Sequence, residues 1–233
     1  MKILAIDSSS MVATVAVVED DKLIAEYTTN HGRTHSQTLL PMIDEMKKST
    51  ELDLSTLDAI AIAGGPGSYT GLRIGSATAK GLALALDIPI INVPTLDAMA
   101  YNMYTSQCVV CPMMDARRNQ VYTGIYQFDE FTMETKLSQR IMMIDEVVEK
   151  LNDIGKEVIL LGDGAVAHKE YIDGHLEFDH KFAPPSMNMA KASSLAALAK
   201  TYYKKGKVET ADEHKPDYLC ASQAERELKE KKK

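Results

Sequence analysis

The order of its predicted strands and helices limits how this chain can fold more than any other feature. Three β-like runs come first, at residues 2–7, 11–18 and 22–29, and the polar turns between them predict an antiparallel meander. Helices and apolar strands then alternate as helix 36–48, strand 58–63, helix 70–86, strand 89–93 and helix 95–104. This alternation predicts parallel strands joined by crossover helices.

The second half of the chain begins like the first. Its predicted elements are strands 108–115 and 120–128, a helix from the cap Asp145 to about Leu151, strand 158–161 and helix 189–204. We therefore predict an α/β protein of two related subdomains, residues 1–104 and 105–225. Residues 226–233 alternate charges and are predicted to form a charged, solvated tail.

Composition excludes several classes of protein. Hydrophobic residues make up 45% of the 233 residues, enough for a sizeable core, and no apolar run approaches the ~20 residues of a membrane span. Asp7 ends the N-terminal apolar run too early for a signal peptide, so we expect a cytoplasmic protein without a membrane partner. A net charge of -7 and the absence of tryptophan argue against binding nucleic acid alone.

Two of the three cysteines, Cys108 and Cys111, form a C-x-x-C pair. Their surroundings predict a buried strand, on which residues three apart point to opposite faces. A redox pair would need a helix N-terminus at this place, and a zinc site would need a second pair of ligands. We therefore predict free thiols in the core.

Two polar or glycine-rich segments could bind a ligand. Asp7-Ser8-Ser9-Ser10 joins two strands and suits phosphate and Mg²⁺, although Asp and Ser also favour plain hairpin turns. Residues 64–75 follow a strand and open a helix, where free N–H groups favour anions. They fit neither a Walker A loop nor G-x-G-x-x-G, since no Gly-Lys-Ser/Thr ends them and Thr70 replaces the third glycine. Their glycine density predicts a special backbone path or close approach by another chain, with an interface and a ligand equally favoured.

Histidines and arginines near the turns give weaker signals. His31 and His35 are four residues apart, but Gly32 separates them and no third ligand is near, so no metal site is predicted. Arg117 and Arg118 lie in a turn and could either pair with acidic or phosphate groups or be solvated. No nucleophile-elbow, zinc-protease or kinase motif occurs, so the sequence offers no nucleophile–base pair.

Several motifs together resemble the TsaB (YeaZ) family over nearly the whole chain. They are residues 3–9, 33–41, 65–75 and 115–117, followed by Pro216, Tyr218 and Leu219 and then Ala224 and Glu225. The chain departs from the family at Cys220, where arginine is usual. The resemblance implies an α/β fold of the actin/Hsp70/sugar-kinase (ASKHA) type with two RNase-H-like subdomains.

The resemblance also implies a function. The family acts in forming N6-threonylcarbamoyladenosine at position 37 of tRNAs that read codons beginning with A. The related partner TsaD holds the metal and transfers the threonylcarbamoyl group, and TsaE is an ATPase that joins them. A separate enzyme supplies the threonylcarbamoyl-adenylate. The resemblance implies that tRNA is met only through the complex, and that a homodimer forms when TsaD is absent.

Residues 93–99 imply that this relative is not itself catalytic. TsaD has Val-Asn-His-x-x-Ala-His where this chain has Val-Pro-Thr-Leu-Asp-Ala-Met, so Thr95 and Met99 replace two metal-binding histidines. A thioether is soft, and a neutral hydroxyl is a weak ligand for hard or borderline divalent metals. The resemblance therefore implies a required, non-catalytic subunit, and the older peptidase labels of the superfamily find no matching residues.

The relation to TsaD also directs the prediction of an interface. Small residues allow close backbone approach, and Tyr and Arg dominate many protein interfaces, so the first two long helices are the predicted contact. The predicted interface residues are Leu39, Leu40, Ile43, Tyr69, Leu72, Arg73, Ser76 and Lys80. The candidate contacts to tRNA or a partner are Arg33, His35, Arg117 and Arg118.

A nucleotide-binding, kinase-like protein of the same fold is the alternative function. Its candidate phosphate or nucleotide residues are Asp7, Ser8, Ser9, Gly162, Asp163 and Gly164. The second of these turns is short and no general base is evident. We therefore expect no strongly bound cofactor and at most weak binding of ATP or ADP.

Overall fold

The computed structural model describes residues 1–31, 34–130 and 132–219. The first half forms a five-stranded sheet, the N-terminal sheet. Its strands are β1 (Lys2–Asp7), β2 (Ala13–Glu19), β3 (Lys22–Thr29), β4 (Ala59–Ala63) and β5 (Ile90–Val93). They lie in the order β3-β2-β1-β4-β5. β1 pairs antiparallel with β2 and parallel with β4, so the predicted meander and the predicted crossover pairing are both confirmed.

The second half forms a C-terminal sheet of the same plan. Its strands are β6 (Val109–Arg117), β7 (Gln120–Asp129), β8 (Thr132–Met143), β9 (Val158–Leu161) and β10 (His180–Phe182). The order β10-β9-β6-β7-β8 repeats the first sheet read from the opposite edge. Two RNase-H-like subdomains are therefore confirmed.

The strand β8 was not predicted, although it is the longest in the structure as described. It lies at the edge of its sheet, and most of its side chains are exposed or half-buried. The apolar alternation that marks a half-buried strand is therefore weak in its sequence. Pairing with β7 along most of its length decides its conformation instead.

Helices cover both faces of the N-terminal sheet. The helices α1 (His35–Ser49) and α2 (Tyr69–Leu86) pack on one face, where Leu4 and Ile6 of β1 point, while Ile3 and Ala5 point to the opposite face. This alternation follows from the period of two along a strand. β5 leads into α3 (Thr95–Ala100) and a 3₁₀ turn, Tyr101–Met103, between the two sheets.

The C-terminal sheet carries the helices α4 (Ile144–Ile154), α5 (Asp163–Ala167) and α6 (Lys169–His175), which pack against one of its faces. α4 has Met143 as its N-cap, so the prediction that Asp145 caps this helix is wrong. Asp145 lies in the first turn instead, where a carboxylate favours the positive end of the helix dipole. The short elements α5, α6 and β10 were not predicted.

The last helix, α7 (Ala192–Lys204), returns to the N-terminal sheet and covers its second face. Its buried alanines and leucines pack against β1, β2, β4 and β5. The predicted boundary therefore needs correction, because α7 and residues 209–218 contact the N-terminal subdomain rather than belonging to a unit 105–225. Apolar residues at helical spacing show that a helix has a face to bury, but they do not show which sheet receives that face.

Asp97 of α3 joins the two halves through a buried polar network. Its Oδ1 accepts a hydrogen bond from Tyr126 of β7 at 2.7 Å, and its Oδ2 accepts one from Tyr202 of α7 at 3.2 Å. Gly124 leaves space for the Tyr126 hydroxyl, because a Cβ there would lie within 3.0 Å of the ring. One carboxylate thus links α3, the C-terminal sheet and α7.

Asp97→Ala is expected to lower the free energy of unfolding by about 2–3 kcal/mol, because it leaves the buried phenol of Tyr126 and the half-buried phenol of Tyr202 without their acceptor. Asp97→Asn retains an acceptor for Tyr126 and should cost much less. Urea unfolding at neutral pH measures both variants. Equal losses for Ala and Asn would contradict the assigned role of the network.

Asp97 should also make stability depend on pH. Burial raises the pKa of its carboxyl, and the hydrogen bonds from Tyr126 and Tyr202 offset part of that rise. The folded state therefore binds this proton more tightly than the unfolded chain, and the resulting stability is lost as pH rises through the folded pKa. Relative to Asp97→Asn, the wild type should lose stability from about pH 4 upward, as urea midpoints between pH 4 and 8 would show. Parallel pH curves would contradict this.

The expectations about membrane spans and about the cysteines can be compared with the described residues. Within them, no helix is long and apolar enough to cross a membrane. Cys108 and Cys111 are free thiols. The predicted core position is confirmed for Cys111 and is wrong for Cys108, which is half-buried just before β6. Burial raises the pKa of Cys111 to about 12. Cys220 lies outside the described residues.

Candidate partner-binding site

The glycine-rich segment packs directly on the turn between β1 and β2. A Cβ at Gly67 would lie within 3.0 Å of Ser9, and a Cβ at Gly71 or Gly75 would lie within 3.0 Å of Ser8. In two of these cases the obstructing atom is a backbone carbonyl oxygen, which cannot turn aside. The glycines therefore let the beginning of α2 approach the β1–β2 turn of the same chain, and not another chain or a ligand as the sequence predicted.

The polar groups of this turn are used inside the protein. Asp7, Ser8 and Ser9 are buried. Ser8 Oγ donates to the carbonyl oxygen of Gly71 at 2.9 Å, and both the N–H and the hydroxyl of Ser9 donate to Asp7 Oδ1. Burial raises the pKa of Asp7, although its hydrogen bonds with Ser9 act against the rise. These contacts within the protein explain why the turn contains Asp and Ser, and they require no bound ligand. Binding of ATP or ADP here stays a prediction.

The turn after β9 has a corresponding structure in the C-terminal subdomain. A Cβ at Gly162 or Gly164 would lie within 3.0 Å of the β6 backbone. Asp163 Oδ1 accepts the N–H groups of Asp115 and Gly164, and burial raises the pKa of its carboxyl. The glycines here permit close packing, and the carboxylate holds the β6–β7 hairpin.

Four of the eight predicted interface residues face the core, so their assignment to an interface is wrong. Leu39 and Ile43 of α1 pack in the cluster beneath α1 and α2, and Leu72 is only 2% exposed. Ser76 is also buried, one turn further along α2. These residues form the faces by which the two helices pack on the sheet. The apolar residues of an amphipathic helix usually lie on its buried face.

The other four predicted interface residues lie at the surface. Leu40 is 57% exposed and Tyr69 is 40% exposed, while Arg73 is exposed and Lys80 is half-buried. Lys80 Nζ donates to the carbonyl oxygen of His214 at 3.1 Å. The structure thus places Leu40 on α1 and Tyr69, Arg73 and Lys80 on α2, outside the core.

Tyr218 lies beside these residues, and we call Tyr69, Arg73 and Tyr218 the tyrosine–arginine cluster. The two tyrosine rings are 4.8 Å apart between centroids, and the Arg73 guanidinium carbon lies 5.4 Å from the centre of the Tyr69 ring. Burial raises the pKa of the Tyr218 phenol. Sequence reasoning assigned no site role to Tyr218, because it lies in an irregular segment far along the chain. Its only signal was the Pro-x-Tyr-Leu motif.

The predicted tRNA or partner contacts lie on two different elements, α1 and the β6–β7 hairpin. His35 begins α1, and its Nε2 lies 2.7 Å from the carbonyl oxygen of Ser10. Arg117 and Arg118 are exposed at the tip of the β6–β7 hairpin, where both have positive φ. Positive φ at the two central residues of a hairpin, Arg118 and Asn119, is typical of a tight two-residue turn. Arg33 lies outside the described residues.

Thr95 and Met99, which the resemblance predicts to replace two histidines, have structural roles in this chain. Thr95 is fully buried, its Oγ1 accepts the N–H of Gly65 at 3.1 Å, and its own N–H donates to the Gly65 carbonyl at 2.9 Å. Met99 is buried in the apolar cluster between the sheets. Across residues 1–31, 34–130 and 132–219, no three His, Cys, Asp or Glu side chains are placed to hold a metal ion.

Comparison with known proteins decides the family. A family model described as TsaD, tRNA N6-adenosine threonylcarbamoyltransferase, matches residues 22–228. The tRNA threonylcarbamoyladenosine biosynthesis protein TsaB of Bacillus subtilis is 36% identical over 227 residues, which cover 97% of this chain and 96% of that protein. This chain belongs to the TsaB (YeaZ) family, within the TsaD-like superfamily. TsaB of Escherichia coli is 30% identical, with 94% of each chain covered.

Solved structures agree with the TsaB assignment and with the fold. YeaZ from Pseudomonas aeruginosa matches with a TM-score of 0.79 at 28% identity, covering 93% of this chain and 99% of that one. An Arthrobacter polyphosphate/ATP-glucomannokinase matches with a TM-score of 0.52 at 10% identity, which bears on the fold alone. The predicted ASKHA fold of this TsaB-family chain is confirmed.

Proposed function

We propose that this chain is the non-catalytic partner and activator of TsaD. The reaction would form N6-threonylcarbamoyladenosine at position 37 of tRNAs that read codons beginning with A. The curated TsaB relatives are named for the biosynthesis of this modified nucleoside, and they match this chain over nearly its whole length. Those names support the pathway; the subunit role rests on the chain's own residues.

The buried positions 95 and 99 carry the proposal. Where TsaD is expected to bind its metal through two histidines, this chain has Thr95 bonded twice to Gly65 and Met99 packed among apolar side chains. A hydroxyl that already accepts an N–H, and a buried thioether, are poor ligands for hard or borderline divalent metals. This chain would then keep the fold that it shares with TsaD but lack the two side chains expected to hold the metal.

The proposed contact with TsaD lies on the exposed side of α1 and α2. The predicted interface residues that lie at the surface are Leu40, Tyr69, Arg73 and Lys80. The same surface would form the homodimer when TsaD is absent, and TsaE would join the assembled pair. A chain with net charge -7 would meet tRNA only as part of this complex.

Reconstitution tests the proposal. Purified TsaD, TsaE, the adenylate-forming enzyme and tRNA are combined with and without this chain, and modified nucleoside is measured by mass spectrometry. We expect product formation to depend on this chain. Leaving out TsaD instead is the matched control, because this chain alone should form none. Equal product without this chain would reject the proposed function.

A further inference from the structure

Residues 209–219, here called the C-terminal strap, run beside α2 from its end to its beginning. Glu209 exchanges two backbone hydrogen bonds with the first residue of β5, just after α2 ends. In the middle of α2, Lys80 donates to the carbonyl oxygen of His214. The far end of the strap reaches the first turn of α2. One side of α2 is therefore bordered by the strap.

Buried groups anchor the strap on both sides of Tyr218. His214 is 1% exposed, and its Nδ1 lies 2.6 Å from Oε1 of Glu209. The N–H of Asp217 donates to the carbonyl of Gly64 at 2.6 Å. Leu219 packs against the apolar cluster between the two sheets. The backbone around Tyr218 is thus held by the fold, although the Tyr218 side chain itself remains 40% exposed.

Tyr69 is contacted from two directions as a result. The Tyr218 ring lies against it from the strap, while Arg73 lies one turn along α2, with Nη1 3.3 Å from the Tyr69 hydroxyl. Three exposed side chains of the types that dominate interface energetics are therefore held together at one place. The contact between the Tyr69 and Tyr218 rings lies at the surface and buries little apolar area. It therefore contributes little to the stability of the folded chain.

The charge of α2 indicates what this surface would bind. The helix contains Arg73 and Lys80 and no acidic residue, whereas the strap beside it carries Asp212, Glu213 and Asp217, so Arg73 is the positive group of the cluster. The exposed apolar side chains Leu40 and Leu84 lie on α1 and α2. A partner that presents a carboxylate to Arg73, beside apolar side chains, would complement the α2 side of this surface.

We propose that Tyr218 is part of the surface that binds TsaD and that it positions Tyr69 and Arg73 for a carboxylate of that partner. This inference rests on the proposed function, in which TsaD is the partner. It extends the interface from the two helices to the strap, a segment more than a hundred residues away in the sequence. The surface would then be built from two parts of the chain that only the fold brings together.

Binding of TsaD to the full-length chain, measured by titration calorimetry, tests the role of Tyr218. Tyr218→Ala should weaken binding by about tenfold, while Tyr218→Phe, which keeps the ring, should bind like the wild type. Tyr203→Ala is the matched control, because Tyr203 is similarly exposed but lies on α7. The thermal midpoint of each variant reports folding, and the Tyr218 variants should unfold like the wild type because the side chain is exposed.

A double-mutant cycle of Tyr218→Ala with Arg73→Ala separates positioning from simple contact. If Tyr218 positions Arg73, the double variant should lose less affinity for TsaD than the product of the two single fold-losses. Wild-type binding by Tyr218→Ala, with weakened binding by Arg73→Ala, would overturn this inference and leave the proposed function standing. Product formation without the chain would instead reject the proposed function itself.

Discussion

Gly71→Ala is expected to lower the free energy of unfolding by at least about 3 kcal/mol. The added Cβ would lie within 3.0 Å of the Ser8 carbonyl oxygen, a backbone atom in the buried turn after β1. Either the first turn of α2 or the β1–β2 turn must move, and Ser8 Oγ would lose its bond to the Gly71 carbonyl. For a chain of this size the thermal midpoint should fall by roughly 6–12 °C.

Gly81→Ala is the matched control within the same helix. A Cβ there meets no atom within 4 Å, and the residue is exposed. Alanine has the higher helix propensity, so this variant should gain about 0.5–1 kcal/mol. Opposite signs for the two substitutions would assign the effect to close packing on the turn. Equal effects at both positions would contradict that assignment.

Arg73→Glu should weaken the binding of TsaD by about 30-fold or more and reduce formation of the modified nucleoside at limiting protein concentration. The change reverses the charge in the centre of the tyrosine–arginine cluster and brings two repelling carboxylates together at the proposed interface. Leu40→Asp should act in the same direction, because it places a charge at a site where 57% of an apolar side chain is free to contact a partner.

Two surface substitutions serve as controls for these variants. Arg140→Glu makes the same charge reversal on the edge strand β8, and Leu23→Asp introduces the same charge at an exposed leucine of β3. Both should bind TsaD like the wild type. Unchanged binding by Arg73→Glu and by Leu40→Asp would exclude this surface as the contact, whatever the controls do.

Structural features that depend only on neighbouring residues could be predicted from the sequence. The alternation along β1 and the glycine density before α2 depend on a period of two and on the lack of a side chain, and both are visible in the sequence. β8 and the contact between Tyr69 and Tyr218 were not visible, because an exposed edge strand and an irregular strap have no periodic signature. The predicted interface mixed Leu39 with Leu40, since the pattern alone does not separate a buried face from an exposed one.

The sequence by itself determined the antiparallel start and the crossover pairing of the first half, and the family through its motifs. Each of these can be read from consecutive residues. Only the tertiary structure decided that α7 covers the first sheet, that the glycines serve packing against Ser8 and Ser9, and that Tyr218 reaches Tyr69. Each of these features is a contact between segments that are far apart in the sequence. The local pattern allows many pairings of such segments, and burial and close packing in the folded chain select one of them.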